Sequence, residues 1–177
     1  MTSRSIVLIG MMGAGKSSVG RCLQRRTGLP RCDTDEIVSS KFGLSISEIF
    51  STDGEGRFRE VETEVLVELA PKASGAIIVT GGGIVLRKEN IDLLKQLGTI
   101  VWLDADEETL FERASRRSNR PLLQTEDPCT TFSEMLRARA PLYAKVADIR
   151  IDTSTLTHDE VADVILRKVE ELVTTRK

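Results

Sequence analysis

A glycine-rich segment near the amino terminus, Gly10–Ser17, reads G-x-x-x-x-G-K-S. It follows an apolar run, Ile6–Ile9, and precedes a helical pattern that places Val19 and Leu23 on one face. A strand, a glycine loop and a helix in this order are the context in which such a motif binds phosphate, because the loop N–H groups and the helix N-terminus both face the anion. A structural turn is the alternative, and the complete pattern in this context favours the phosphate site.

The residue types within this loop predict how a nucleotide is held. Lys16 is expected to reach the β- and γ-phosphates, and the Ser17 hydroxyl is expected to ligate the single Mg²⁺ ion that accompanies ATP. The other predicted nucleotide contacts in this segment are Gly13, Ala14, Gly15 and Ser18.

Two acidic residues, Asp33 and Asp35, follow the second predicted strand. One carboxylate can hold a water molecule of the Mg²⁺ ion while the other faces an acceptor hydroxyl. The alternative for Asp35 is a helix N-cap, because a helical pattern opens there and aspartate is a favoured cap. Beside a phosphate loop we favour the site, with Asp33 in the metal role because the third strand lacks a terminal acidic residue.

The third predicted strand ends in Thr80–Gly83, which contains three consecutive glycines. Glycines cost conformational entropy, so three together indicate a place where the backbone approaches a ligand closely. A tight turn is the alternative, although a turn needs only one or two glycines.

Two arginines, Arg59 and Arg139, have no obvious role toward a nucleotide. Guanidinium groups bind carboxylates bidentately, so the pair predicts a small acceptor that bears a carboxylate as well as hydroxyls. Glu62 lies three residues after Arg59, within pairing range on a helix, and a solvated surface pair is the alternative for these two residues.

Further arginines precede or lie within a polar segment, 116–131, that contains two prolines and is predicted to be a mobile lid. They are Arg113, Arg116, Arg117 and Arg120. In a phosphoryl-transfer enzyme a lid arginine neutralises charge that develops on the transferred group. A solvated charged face is the alternative.

Strand and helix signals alternate along the chain, which predicts an α/β fold with a parallel sheet. The predicted strands are Ser5–Ile9, Leu29–Asp33, Ala76–Thr80, Thr99–Leu103 and Ile149–Asp152, and the predicted helices are Lys16–Thr27, Asp35–Phe42, Ser47–Phe50, Gly56–Leu69, Lys88–Leu97, Glu107–Ser115, Phe132–Val146 and Thr157–Leu172. Several helices follow one another between Asp33 and Ala76, which indicates an insertion at the carboxyl edge of the sheet. Pro141 predicts a kink or a restart in the helix that contains it.

The composition fits a single domain over residues 1–177, with 40% hydrophobic residues and a formal net charge of −2. This charge gives no indication of nucleic-acid binding, and no apolar run approaches the roughly 20 residues of a membrane span. We find no targeting segment and no coiled-coil heptads, so we expect a cytoplasmic monomer. The three cysteines and one histidine show no metal-ligand spacing.

Taken together, these motifs resemble the shikimate kinases, and the resemblance covers essentially the whole chain. It is carried by Gly10–Ser17, Asp33 with Asp35, Phe58-Arg59 with Glu62, Thr80–Gly83, Arg120-Pro-Leu-Leu123, and Arg139 before Pro141-Leu-Tyr143. The resemblance implies transfer of phosphate from ATP to the 3-hydroxyl of shikimate, in aromatic amino-acid biosynthesis. It also implies the P-loop kinase fold with five parallel strands in the order 2-3-1-4-5, a shikimate-binding helical insertion at about 34–62 and a lid at about 114–131.

The same resemblance implies roles for individual residues. Lys16, Asp35 and Arg120 would be catalytic, with Asp35 as the base for the attacking hydroxyl. Arg59 and Arg139 would bind the shikimate carboxylate with the backbone of Gly81, Gly82 and Gly83, and Glu62 would orient Arg59. The apolar wall around the ring would be Ile46, Phe50, Phe58, Pro121 and Leu122, and the metal residues would be Ser17 and Asp33.

The match to the family is loosest at the adenine pocket. Family members often stack the base between an arginine before the lid and a proline after the last strand. Here the arginine could be Arg116 or Arg117, and no proline follows Asp152.

Two other functions remain open. One is another kinase of the same superfamily, acting on gluconate or a nucleoside monophosphate, which the triple glycine and the two arginines disfavour. The other is a catalytically silent nucleotide-binding relative, which the presence of Lys16, Asp35 and Arg120 disfavours.

Overall fold

A computed structural model describes residues 4–71, 75–116 and 121–175 of the chain. Five parallel strands form one sheet in the order β2-β3-β1-β4-β5, which confirms the predicted class and strand order. The strands are β1 (Ser5–Ile9), β2 (Arg31–Asp33), β3 (Ile77–Val79), β4 (Gly98–Asp104) and β5 (Ile149–Asp152). Every residue of β1, β3 and β4 is buried, as expected for strands covered on both faces.

The edge strand β2 is shorter than predicted and begins at Arg31 rather than Leu29. Pro30 lies immediately before it, and proline has no N–H group to donate to a strand ladder. Its carbonyl still accepts a hydrogen bond from the N–H of Ile77, at 2.8 Å, and this is the first hydrogen bond of the pairing with β3.

Eight α-helices connect and cover the described strands. They are α1 (Lys16–Thr27), α2 (Thr34–Phe42), α3 (Ile46–Thr52), α4 (Gly54–Leu69), α5 (Lys88–Leu97), α6 (Glu107–Ser115), α7 (Pro128–Val146) and α8 (His158–Thr175). Crossovers between parallel strands are right-handed, so α1, which leads to β2, and α5, which leads the other way to β4, cover opposite faces. In agreement, α1 packs against α8, whereas α5 packs against α4.

The described part of the segment predicted as a lid, from residue 121 onward, contains regular secondary structure. A 3₁₀ turn covers Pro121–Leu123, and α7 begins at Pro128 instead of Phe132. The Asp127 carboxylate accepts a hydrogen bond from Thr130 N, so an aspartate followed by proline starts the helix.

Pro141 does not end or restart α7, which is continuous from 128 to 146, so of the two predicted outcomes the restart was wrong and the kink stays a prediction. Proline removes one backbone hydrogen bond, and Pro141 is exposed on the outer side of the helix, where water can satisfy the freed carbonyl. On the inner side Phe132, Arg139 and Tyr143 are buried and hold the helix against the core.

The insertion consists of α2, α3 and α4 and has a small hydrophobic cluster of its own. The buried members of the cluster are Val38, Ile49, Phe58, Val61 and Val65. Leu66, one residue further along α4, belongs to the main core, so the two clusters are contiguous through this helix. This packing fixes the face of α4 that carries Arg59 and Glu62.

The loops that follow β1, β2, β3 and β5 all leave the carboxyl edge of the sheet, the edge at which open α/β sheets bind ligands. Gly10–Gly15, Asp33 and Thr80–Gly83 are therefore brought together by strand order alone. Within the described ranges, no helix is long and apolar enough to cross a membrane.

Candidate active site

The loop after β1 is held in a conformation that requires its glycines. Gly10, Gly13 and Gly15 all have φ values between +88° and +141°. A Cβ on Gly10 would lie 2.2 Å from the carbonyl oxygen of Leu103, and one on Gly13 would lie 2.2 Å from that of Leu110. The loop is thus wedged against β4 and α6, which leaves its inner side available to an anion.

Lys16 and Ser17 begin α1 at the bottom of this loop. The buried Lys16 ammonium donates to the carbonyls of Gly10, at 2.7 Å, and Met11, at 3.0 Å. The Ser17 hydroxyl donates to Asp33 Oδ2 at 3.3 Å, across the space between α1 and β2. A positive side chain, a hydroxyl and a carboxylate therefore meet beneath the loop.

Asp33 takes the capping role that the sequence offered to Asp35. Its Oδ1 accepts from Asp35 N at 3.2 Å and starts α2. Burial raises the pKa of Asp33, while the Arg31 guanidinium, 3.1 Å from Oδ2, acts in the opposite direction. The hydroxyl of Ser17 and this carboxylate are oxygen ligands of the kind that Mg²⁺ takes alongside phosphate and water. No cluster of three or more His, Cys, Asp or Glu ligands occurs in the described ranges, so such an ion would draw its other ligands from phosphate and water.

A cavity of about 330 Å³ opens above the phosphate loop. Its walls include the predicted residues Gly13, Gly15, Lys16, Ser17, Ser18, Asp33, Asp35 and Gly82. Ala14, within the loop, is buried and does not line the cavity. The predicted Arg117 and Arg120 lie outside the described residues.

Arg113 and His158 are among the wall residues that were not predicted as nucleotide contacts from the sequence. Arg113 is half-buried and donates to the Thr153 and Ser154 carbonyls, at 3.1 and 3.2 Å, so it fixes the loop after β5. His158 begins α8, and its ring lies 3.3 Å from the place that a Cβ on Gly15 would occupy. Both lie on the cavity wall with Arg116, because β5 is the neighbour of β4 in the sheet.

A second cavity, of about 70 Å³, adjoins the first. Its walls are Met12, Asp35, Ile46, Phe50, Phe58, Arg59, Gly81, Gly82, Pro121, Leu122 and Arg139, which include every member of the predicted apolar wall. Met12, Asp35 and Gly82 line both cavities. The Asp35 carboxylate therefore stands where the two cavities meet.

Arg59 donates hydrogen bonds to two glutamates of its own helix. Its Nη1 donates to Glu62 Oε2 at 3.0 Å, and its Nη2 and Nε donate to Glu55 Oε1 at 2.9 and 3.2 Å. Glu62 is fully buried, and burial, opposed by the Arg59 charge and assisted by Asp35, raises the pKa of Glu62 to about 7. The Arg59–Glu62 pair is thus not the solvated surface pair that was the alternative reading.

The three glycines after β3 make room for these charged side chains as well as for a ligand. A Cβ on Gly83 would lie within 2.3–2.5 Å of the Arg59 guanidinium, and one on Gly81 would lie 2.6 Å from Glu62 Oε1. Gly82 alone has ordinary space around it and lines both cavities. Its carbonyl accepts a short hydrogen bond from the Tyr143 hydroxyl, which ties the loop to α7.

The arrangement combines an anion-binding loop, a carboxylate at the junction of two cavities and two buried arginines beyond it. A phosphorylated ligand in the larger cavity would face a smaller ligand in the second cavity across Asp35. Arg59 and Arg139 are both at least nine-tenths buried, so an anionic group of that smaller ligand would meet them in a low dielectric. The chemistry that this geometry supports is transfer of a phosphoryl group to a small anionic acceptor.

Comparisons with known proteins identify the family. The family model for shikimate kinase matches residues 12–170. The chain is 47% identical, over 96% of each sequence, to a shikimate kinase of Thermodesulfovibrio yellowstonii. It is 38% identical to a shikimate kinase from Acinetobacter baumannii solved in complex with shikimate, with a TM-score of 0.90 and coverage of 99% and 96% of the two chains. A gluconokinase from Sinorhizobium meliloti, at 21% identity and a TM-score of 0.63 over 98% and 95% of the two chains, shares the fold. The chain belongs to the shikimate kinase family.

Proposed function

We propose that the protein transfers the γ-phosphoryl group of ATP to the 3-hydroxyl of shikimate and releases ADP and 3-phosphoshikimate. The observation that carries this proposal is the position of Asp35 between the phosphate-loop cavity and the cavity that holds Arg59 and Arg139. Membership of the family supports the same substrates.

In the larger cavity the loop N–H groups and Lys16 would bind the β- and γ-phosphates. Ser17 and Asp33 would hold the Mg²⁺ ion, which supplies positive charge to the phosphate oxygens when it is bound. The wall around the nucleoside would be formed by Arg113, Arg116 and His158. His158 lies near the phosphate loop and follows the last strand, the part of the chain where family members often have the proline that stacks on the base. Arg117 and Arg120 remain predicted nucleotide contacts.

In the smaller cavity Arg59 and Arg139 would bind the acceptor carboxylate, with N–H groups of Gly81–Gly83 beside them. Phe50 and Phe58, whose ring centroids lie 5.0 Å apart, would pack against the carbon ring. These contacts would orient the acceptor hydroxyl toward Asp35, which would take its proton as the phosphorus–oxygen bond forms. Arg120 remains the predicted lid arginine for the transferred group.

The test is ADP release from Mg·ATP with shikimate, gluconate, nucleoside monophosphates or no acceptor. Gluconate also carries a carboxylate and hydroxyls, so Arg59 and Arg139 by themselves do not disfavour it, contrary to the expectation from the sequence, and it is the stringent comparison. We expect strong stimulation by shikimate alone, loss of that stimulation when Mg²⁺ is chelated, and a phosphate ester at the 3-position by phosphorus NMR. Stronger stimulation by gluconate than by shikimate would show that gluconate, and not shikimate, is the acceptor. ATP binding without stimulation by any acceptor would favour the silent relative.

A further inference from the structure

Glu62 is a fully buried carboxyl, and among the described residues only one of its two oxygens accepts a hydrogen bond. Oε2 accepts from Arg59 Nη1, while Oε1 accepts no hydrogen bond from any of the described residues. A buried carboxylate oxygen without a donor is costly, whereas the same oxygen carrying a proton can itself donate.

The surroundings of Oε1 favour such a proton. A Cβ on Gly81 would lie 2.6 Å from Glu62 Oε1 and 2.7 Å from Asp35 Oδ1, so the two carboxyl oxygens lie on the same side of Gly81, near one point. Two carboxylates that share a site in this way repel one another when both are ionised. A proton on Glu62 would remove this repulsion and leave Asp35 ionised.

The other charged or titratable groups that act on Glu62 come from two helices. Arg59 lies on α4, the helix of Glu62 itself, and Arg139 and Tyr143 lie on α7. Arg139 and Arg59 are the positive charges, and Tyr143 is a neutral phenol because burial raises its pKa. Neither cation faces Oε1 closely enough to donate a hydrogen bond to it.

Arg59 is also shared with a third carboxylate, Glu55, which takes its Nη2 and Nε donors. Within the described part of the chain, the smaller cavity and its contacts therefore hold two guanidinium groups against three carboxylates, Asp35, Glu55 and Glu62. The carboxylate of an acceptor would be the fourth. Adding a fourth negative charge to two positive ones is unfavourable in a buried site unless one carboxylate is neutralised.

Glu62 is the member of this set best suited to neutralisation. It is the only one of the three that is fully buried, since Asp35 is half-buried and the Glu55 side chain is 46% exposed. In the free protein its pKa is raised to about 7, chiefly by burial. A negative charge arriving at Arg59 would raise that pKa further, because it offsets the guanidinium charge that lowers it.

We propose that binding of the shikimate carboxylate at Arg59 and Arg139 is accompanied by uptake of one proton from solvent onto Glu62, which then donates from Oε1 toward Asp35. The inference rests on the proposed function, because it needs an acceptor carboxylate in the smaller cavity. Glu62 keeps its Oε2 contact with Arg59 in both states, so it acts as a positioning residue for the arginine and for the base. Shikimate affinity is then constant between about pH 5, where the shikimate carboxyl is ionised, and about pH 7, and it falls by up to tenfold per pH unit above about pH 7.

The experiment is calorimetry of shikimate binding in buffers with different ionisation enthalpies, because the dependence of the heat on the buffer gives the number of protons taken up. For the wild type we expect uptake of about half a proton at pH 7 and nearly one at pH 8. Glu62→Gln replaces the protonated form with an amide of the same shape, so its uptake should be zero and its affinity independent of pH. Glu60→Gln is the matched control, since Glu60 is exposed on the same helix and pairs with Arg57, and it should behave as the wild type.

Normal shikimate binding by the wild type without proton uptake would overturn the inference, and so would unchanged uptake in Glu62→Gln. If Glu62→Gln does not fold, an infrared difference spectrum of the wild type at pH 8, where Glu62 is ionised before binding, decides the matter: a new protonated-carboxyl band on shikimate binding supports the inference, and its absence overturns it. A wild type that binds ATP but no shikimate at all would overturn the proposed function, and the inference with it.

Discussion

Arg59 shows how one side chain depends on its neighbours for its chemistry. It is buried, its guanidinium packs against Gly83, and Glu55 and Glu62 hold donors on both ends of the group. A guanidinium fixed in this way presents its remaining donors in one direction, which suits bidentate recognition of a carboxylate.

We therefore expect Arg59→Lys to raise the KM for shikimate by about 10- to 100-fold, because an ammonium keeps the charge but loses a charge-assisted hydrogen bond worth about 1.5–3 kcal/mol. The KM for ATP should not change. Steady-state kinetics with each substrate varied in turn measure both. Arg57→Lys is the control, since Arg57 is exposed on the same helix. An unchanged KM for shikimate would show that Arg59 does not bind the carboxylate.

Glu62 also predicts how stability depends on pH. Its carboxyl has an ordinary pKa of 4.5 and a folded-state pKa of about 7, so the folded protein binds a proton that the unfolded chain has released between these values. Its contribution to stability is complete below pH 4.5 and is lost as the pH rises through about 7.

Urea unfolding of the wild type and of Glu62→Gln should therefore diverge with pH. Relative to the variant, the wild type should lose up to about 3 kcal/mol of unfolding free energy between pH 5 and pH 8. A difference between the two proteins that stays constant over this range would show that Glu62 titrates near its ordinary pKa.

At the scale of elements, the loop after β3 and helix α4 are fitted to one another. Gly83 has an ordinary φ of −94°, so its backbone conformation is open to any residue. Glycine is required there because the Arg59 guanidinium occupies the space of a side chain. The loop and the helix thus set the position of the carboxylate-binding group together.

Gly83→Ala should displace Arg59 and raise the KM for shikimate at least tenfold, with little change in the KM for ATP. Kinetics and urea unfolding of the variant separate a displaced arginine from loss of the fold. Gly56→Ala is the control: Gly56 lies in α4 with nothing within 4 Å of an added Cβ, and it should gain about 0.5–1 kcal/mol of stability with unchanged kinetics. Full shikimate affinity in Gly83→Ala would contradict the fit described above.

At the scale of the whole molecule, the strand order gathers distant segments at one edge of the sheet. The phosphate loop follows the central strand β1, the glycines follow β3, and the loop that leads to His158 follows the outer strand β5. Among the described residues, His158 lines the larger cavity and not the smaller one, and the two cavities share Met12, Asp35 and Gly82.

Changes at the β5 side should consequently affect ATP alone. His158→Ala should raise the KM for ATP about threefold to tenfold, as expected for loss of a ring that stacks on a base, and should leave the KM for shikimate unchanged. Thr155→Ala, exposed on the same loop, serves as the control. A shift in the KM for shikimate with that for ATP unchanged would place His158 outside the nucleotide site.

Short-range sequence patterns were sufficient to predict the local features of the fold. The phosphate loop, the alternation of strands and helices and most of their bounds follow from short-range patterns, because glycine spacing, hydrophobic period and caps act within a few residues. The strand order and the family came from the combination of motifs along the chain. Arg59, Glu62 and Arg139 could be singled out in the same way, since a nucleotide leaves these charges without a role.

Which side chains face one another could not be predicted from the sequence and depends on how the segments pack. The choice of Asp33 rather than Asp35 as the cap of α2 is a difference of two residues along the chain. The contact of Arg113 with the loop after β5, and the approach of Glu62 Oε1 and Asp35 on one side of Gly81, join segments far apart in the chain. Local patterns do not encode such distances. Burial, which is a property of the whole packed molecule, is the main cause that raises the pKa of the Glu62 carboxyl to about 7, and the nearby Asp35 carboxylate acts in the same direction.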